Sequence, residues 1–129
     1  TIGISEENAK SAKKFIQKTG LNKKIKLIFG NALKEVPKLK KKYDFIFLDA
    51  DKEDYKKLFE YSLPLLKKNG VVFVDNLLWH GYAAAKDIPE NYKNSTKHIR
   101  EFNKKFTSQK KLQTTILPIG DGIGMGVKI

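Results

Sequence analysis

The sequence predicts an α/β fold on three grounds: short apolar runs alternate with helical patterns, two of those runs end in aspartate, and only a short Pro/Gly turn separates the last two. Repeated strand–helix alternation gives a parallel sheet covered on both faces by helices. The closing pair of runs, joined by residues 118–122, can pair only as an antiparallel hairpin. A chain of 129 residues, 40% hydrophobic and 31% charged, suits one globular domain spanning 1–129.

Each element follows from local pattern. Thr1-Ile2-Gly3-Ile4 reads as a short strand. Ser5 is a suitable N-cap for a helix with Ala9, Ala12 and Ile16 on one face, ended by Thr19-Gly20. Ile25 to Phe29 reads as a strand closed by Gly30, and Asn31 to Lys38 as a brief helix or turn stopped near Pro37. Tyr43 to Leu48 is a buried strand, Asp44 aside. The helix after it carries Tyr55, Leu58, Phe59, Ser62, Leu65 and Leu66 on one face, with a kink at Pro64 and a stop at Asn69-Gly70. Val71 to Val74 is a continuous apolar strand. A loop from Leu77 to about Lys93 precedes a last helix with Ile99, Phe102 and Phe106 inward, and Leu112–Leu117 and Ile123–Ile129 close the fold.

Composition narrows the setting without choosing a function. No cysteine is present, so disulfides and thiolate metal sites are excluded, in keeping with a reducing compartment. No run approaches the ~18 apolar residues of a membrane span, and no signal-peptide pattern opens the chain. A cytoplasmic protein without a membrane partner is the expectation. The net charge of +12 would suit a nucleic-acid partner. Yet all but one of the 26 basic residues are lysine, Arg100 being the exception, and bidentate phosphate or base recognition favours arginine. Thinly spread lysines describe a solvated surface equally well.

The chemistry lies at two strand ends. Asp49 follows Tyr43–Leu48, and Asp75 follows Val71–Val74. Ligands of open α/β sheets bind outside the carboxyl ends of strands, where neighbouring strands bring both carboxylates together. Asn76 adds an amide oxygen. Two carboxylates and one amide oxygen form a hard, oxygen-only set suited to Mg²⁺ or a similar divalent ion. Lys52, three residues beyond Asp49, is placed to reach the same cleft. Trp79 and Tyr82 fit either a slot for a planar substrate or simple packing of their loop. His80 and His98 are not expected to bind metal, and Tyr55 is expected to be core. Ser62, Ser95 and Ser108 lack any nucleophile context.

The segment Tyr43-Asp44-Phe45-Ile46-Phe47-Leu48-Asp49-Ala50-Asp51-Lys52 resembles the caffeoyl-CoA O-methyltransferases and their bacterial relatives. Asp75-Asn76-Leu77-Leu78-Trp79-His80-Gly81 resembles their second metal motif and substrate loop, and Leu117-Pro118-Ile119-Gly120-Asp121-Gly122 their ending. The resemblance runs in register from residue 1 to 129. It implies a Rossmann-like methyltransferase sheet and a metal-dependent O-methyltransferase of the catechol / caffeoyl-CoA class using S-adenosylmethionine. It implies Asp49, Asp75 and Asn76 as ligands of Mg²⁺, Mn²⁺ or Ca²⁺, and Lys52 as the base taking the substrate's hydroxyl proton. Asn31 and Ala32, on the adenine-side turn, and Asp49 are the implied cofactor-binding residues. Small catechols, a phenolic thioester and a hydroxylated tRNA base all stay open as acceptors.

The departures from that pattern are as informative. The family's first, central strand and its glycine-rich cofactor loop have no counterpart in this sequence. Gly3 stands where a ribose-binding acid is expected, and Asn31 replaces a more usual Asp. The chain is therefore expected to be an N-terminally truncated domain, catalytically silent alone, binding S-adenosylmethionine no better than millimolar. The strands matched by Thr1–Ile4 and Tyr43–Leu48 would then expose free edges, and they would pair with each other or draw in a second copy. A homo-oligomer is the expectation. Glycine-rich Gly120–Gly124 lies in the closing hairpin and is not a cofactor loop. Two rivals remain: a non-catalytic remnant binding RNA through its lysines, and a phosphoacceptor receiver, which Gly3, Gly30 and Asp75-Asn76 argue against.

Overall fold

The computed structural model describes residues 1–129, and its backbone divides into two compact units, Thr1–Leu39 and Lys40–Ile129. In the first, β1 (Ile2–Gly3) pairs in parallel with β2 (Ile28–Phe29), and α1 (Glu6–Lys18) connects them. The Ser5 hydroxyl accepts the Asn8 N–H at 3.2 Å, Glu6 and Glu7 favour the helix N-terminus, and Gly20 takes φ +69° just beyond the helix. The strand expected over 25–29 shrinks to two residues. Lys24 and Ile25 turn their N–H groups back to the Leu21 carbonyl, at 2.8 and 2.9 Å, and so leave the ladder. α2 (Ala32–Glu35) is followed by a 3₁₀ turn, Val36–Lys38, and Pro37 sits inside that turn rather than stopping it. A first-turn proline has no N–H that needs an intrahelical partner.

In the second unit a four-stranded sheet runs in the order β3-β4-β6-β5. β3 (Tyr43–Leu48) and β4 (Leu66–Val74) are parallel; β6 (Ile123–Lys128) is antiparallel to both β4 and β5 (Leu112–Leu117). The expected α/β architecture, a parallel pair finished by an antiparallel hairpin, is what forms. α3 (Tyr55–Ser62) and α4 (Glu90–Thr107) pack together through Tyr55, Phe59, Phe102 and Phe106, whose rings meet edge-to-face at 5.4–5.6 Å. Leu48, Leu66, Val72 and Val74 complete this core from the sheet. Each large side chain buried there contributes about 1.5–3 kcal/mol. Gly124 lets α4 and its preceding loop approach β6, since a Cβ there would lie 2.4 Å from Leu77 Cδ1 and 3.1 Å from Phe106 Cε1. Gly126 does the same against Leu112 and Val72, so these two strand glycines serve packing.

Several boundaries differ from expectation. The helix expected to run through Leu65 and Leu66 ends at Ser62, passes into a 3₁₀ turn at Leu63–Leu65, and gives way to β4 at Leu66. Pro64 cannot extend α-helical hydrogen bonding, and the buried Leu66 faces the core from the strand. Asn69-Gly70 is no helix stop but an irregularity within β4, with Asn69 at φ +62°. The last helix starts at Glu90, several residues before the expected end of the loop. β3 is not fully buried: Phe45 and Phe47 are 52% and 53% exposed. It has one lateral neighbour, β4, and the sheet face bearing those rings is opposite the one covered by α3 and α4. No helix is long and apolar enough to cross a membrane.

Candidate active site

The parallel register fixes the first geometry. Leu48 pairs with Val74, so Asp49 and Asp75 are the next residues on adjacent strands, and the Asp75 N–H donates to the Leu48 carbonyl at 3.1 Å. Neighbouring strands lie about 5 Å apart. At Asn76 the backbone turns left-handed, φ +57°, a conformation asparagine tolerates better than most residues. The Asp75 side chain holds that turn, its Oδ1 accepting the Asn76 N–H at 2.7 Å.

Lys52 is the centre of the site. It lies in the turn before α3, with only 8% of its surface exposed, and its ammonium donates to Asn76 Oδ1 at 2.8 Å and to the Tyr55 hydroxyl at 2.5 Å. A longer contact reaches the Ala50 carbonyl at 3.4 Å. Nζ stands 4.3 Å from the Tyr55 ring centre and 5.2 Å from that of Trp79. Burial pushes the Lys52 pKa below the ordinary lysine value; Asp49, Asp75, Asp121 and Asp51 oppose this without cancelling it. An ammonium with a depressed pKa in an acidic cleft can act as a charge when protonated and accept a proton when neutral.

Tyr55 does more than fill the core. It is wholly buried, and its hydroxyl accepts from Lys52 while donating to the Asp75 carbonyl at 3.0 Å. Burial, then the charge of Asp49, holds that hydroxyl protonated well above the usual tyrosine range. Tyr55 thus ties Lys52 to the strand end that carries Asp75 and Asn76. Tyr55→Phe keeps the ring but takes the hydroxyl donor from the Asp75 carbonyl and one of the acceptors from Lys52, so it is expected to destabilise the protein by about 1–3 kcal/mol. Urea unfolding at unchanged m-value measures the loss.

Beyond Asn76 the chain forms a loop held from two sides. Leu77 and Leu78 donate N–H groups to the Gly122 and Asp121 carbonyls, each at 2.9 Å, and Asp121 Oδ1 accepts the His80 N–H at 2.6 Å. From α4, Asn103 Nδ2 donates to the Leu77 carbonyl at 2.8 Å, and Ser95 Oγ accepts Trp79 Nε1–H at 3.1 Å. Trp79 and His80 both adopt positive φ, +50° and +55°, at about 1–2 kcal/mol each, and these anchors keep them there. Gly122, at φ +84°, must be glycine because a Cβ would lie 2.5 Å from Leu78 Cγ. Tyr92, on the first turn of α4, lies between Trp79, His80 and Tyr82 at ring separations of 6.0, 5.6 and 5.0 Å.

Lys52, Asp75 and Asn76 are therefore in contact or adjacent, with Asp49 at the neighbouring strand end. Asn31 and Ala32 belong to the first unit, where Asn31 caps α2, its Oδ1 accepting the Leu33 N–H at 2.8 Å. His80, half open at the rim, faces Asp121, with Nδ1 4.0 Å from Oδ2. The sequence reading missed the Tyr55 hydroxyl, Tyr92, Ser95, Asn103 and Asp121. Only Tyr55 left a signal, three residues after Lys52 at helical spacing. No cluster of three or more His, Cys, Asp or Glu side chains occurs, so a cation at these strand ends would rely on the Asn76 amide oxygen as third donor. Two carboxylates and an amide fit a hard divalent ion that keeps water or substrate oxygens.

The site is thus a parallel strand pair ending in acidic residues, with a buried lysine and an anchored aromatic loop beside it. The chain belongs to the O-methyltransferase family, whose model matches residues 1–129. It is 37% identical to a probable caffeoyl-CoA O-methyltransferase of Dictyostelium discoideum over 98% of this chain and 56% of that protein. A candidate caffeoyl-CoA O-methyltransferase from Staphylococcus aureus superposes with a TM-score of 0.91 at 32% identity, covering 100% of this chain and 63% of its own. An O-methyltransferase from Bacillus cereus, solved in complex with SAH, gives 0.84 at 26% identity, covering 100% and 61%. The Rossmann-like methyltransferase fold is thereby shown. The chain spans a little over half the length of the curated relatives it first matches.

Proposed function

We propose that the protein is an O-methyltransferase that uses S-adenosylmethionine and a divalent cation to methylate a vicinal diol or phenolic hydroxyl on a small molecule. The observation that carries this reading is the 2.8 Å contact between Lys52 Nζ and Asn76 Oδ1, directly after two register-matched strands ending in Asp49 and Asp75. Asp49, Asp75 and Asn76 are the residues that would hold Mg²⁺, Mn²⁺ or Ca²⁺. A cation bound there lowers the pKa of a hydroxyl brought beside it. S-adenosylmethionine supplies the methyl group.

The chain's own residues do the rest. Lys52, positioned by Tyr55 and depressed in pKa by burial, takes the hydroxyl proton at Nζ. Trp79, beside Nζ, flanks a planar acceptor, and the anchored loop excludes water from that side. By the family pattern Asn31 and Ala32 are the residues that would meet the cofactor's adenine, and Asp49 is a residue that would serve cofactor and metal. Orientation of the hydroxyl towards the methyl group then supplies several kcal/mol of the acceleration, on the order of what intramolecular alignment gives.

The test is transfer of labelled methyl from S-adenosylmethionine to a simple catechol, a phenolic thioester and a hydroxylated tRNA base, with and without chelator. Expected, when the domain is assayed together with the family's first strand and glycine-rich cofactor loop, is methylation of a small diol or phenol that chelator abolishes and added Mg²⁺ or Mn²⁺ restores; residues 1–129 alone are expected to transfer none. Transfer indifferent to chelator would remove the metal from the mechanism. Transfer to tRNA alone would replace the acceptor class.

A further inference from the structure

We propose that Arg100 is the positioning residue of the acceptor loop, its guanidinium closing residues 82–85 onto α4; the assignment of this loop to the acceptor rests on the function proposed above. Arg100 is the only arginine in a chain otherwise basic through lysine. It lies next to Ile99 on α4, half-buried, and forms no ion pair with a carboxylate. Its donors go instead to three backbone carbonyls of one loop: Nε to Ala83 at 3.0 Å, and Nη2 to Tyr82 at 2.9 Å and to Ala85.

Those carbonyls belong to a segment with little else to hold it. Ala83, Ala84 and Ala85 carry only methyl groups, and their N–H groups make just local turn bonds, Ala83 to Leu78 and Ala84 to Gly81, both at 3.2 Å. The residues before them, Trp79, His80 and Gly81, all sit at positive φ, which is strained backbone for Trp79 and His80. A planar fork with fixed donors can bridge several carbonyls at once, whereas a lysine ammonium on a flexible stem cannot keep that geometry. The choice of arginine at this one position matches that requirement. The Tyr82 ring meets that of Tyr92 at 5.0 Å, tilted by 41°, and leads back through His80 to Trp79, so the tie at residues 82–85 helps set the Trp79 ring beside Lys52.

Trp79 is the only tryptophan, so its fluorescence reports on the loop without any enzymatic assay. Arg100→Met and Arg100→Lys are compared with the parent by acrylamide quenching of Trp79, circular dichroism and steady-state kinetics. Arg100→Met, which loses all three bonds to the loop, is expected to raise Trp79 quenching and to raise the acceptor KM at least about tenfold, with kcat and cofactor affinity nearly unchanged. Millimolar methylguanidine should restore both. Arg100→Lys should retain the fold by circular dichroism yet remain impaired, which keeps the test decisive if the methionine variant does not fold. Parent-like quenching and KM in Arg100→Lys would overturn the proposal, as would failure of methylguanidine to rescue a folded Arg100→Met. If quenching rises and is rescued while the parent, assayed with the family's cofactor-binding strand and loop present, transfers no methyl group to any acceptor, the loop-positioning role stands and the functional reading falls.

Discussion

In the enzyme that carries the cofactor-binding strand and loop as well, Lys52→Ala is expected to lower kcat by about 10² or more, the usual worth of a positioned acid–base group. The residue is nearly buried, donates to Asn76 Oδ1 and the Tyr55 hydroxyl, and stands beside Trp79. Its pKa is depressed by burial, so the rate should climb with pH over an interval below the ordinary lysine titration, as the neutral amine becomes populated. The sign for stability is the same. A lysine whose folded pKa lies below its unfolded value costs stability while it is protonated, and that cost fades as pH rises through the folded pKa towards the unfolded one. The pH–rate profile of parent and variant checks the assignment. An unchanged kcat with an unchanged ascending limb would leave the hydroxyl to ionise without help from this side chain.

Asp75→Ala is expected to weaken Mg²⁺ or Mn²⁺ binding at least tenfold and to take activity with it. Asp75 does two things at once: it follows the register pair Leu48–Val74, and its Oδ1 holds the left-handed Asn76 backbone through the N–H at 2.7 Å. Removing it deletes one carboxylate and frees the amide that should be the third donor. Calorimetric titration of parent, Asp75→Ala and Asp75→Asn separates these roles, because asparagine can still accept the Asn76 N–H but carries no charge. Parent-like metal affinity in both variants would show that the cation, if one binds, sits elsewhere.

The strand ends were legible in the sequence and much of the loop was not. An apolar run followed by Asp is a local pattern, and two such runs separated by a crossover dictate neighbouring parallel strands, so Asp49, Asp75 and Asn76 could be named. Lys52 followed from its spacing. The helix end at Ser62 was misread because Leu65 and Leu66 continue a helical period even after Pro64 has broken the hydrogen bonding. Partial exposure of Phe45 and Phe47 was invisible for another reason: apolar residues on both faces of a strand look buried whatever covers them. Asp121, Ser95, Arg100 and Asn103 meet the loop from positions 15 to 41 residues away, and no periodicity encodes such contacts. The polar fixings of a loop are tertiary facts.

The lysine excess also has a colloidal meaning. Lys40, Lys41 and Lys42 stand exposed together just before β3, and the net charge of the whole chain is +12. Two molecules approaching each other must bring like charges within the Debye length, about 8 Å at physiological ionic strength, before their surfaces can touch. The surplus lysines thereby act as a kinetic barrier to association whose height falls as salt rises.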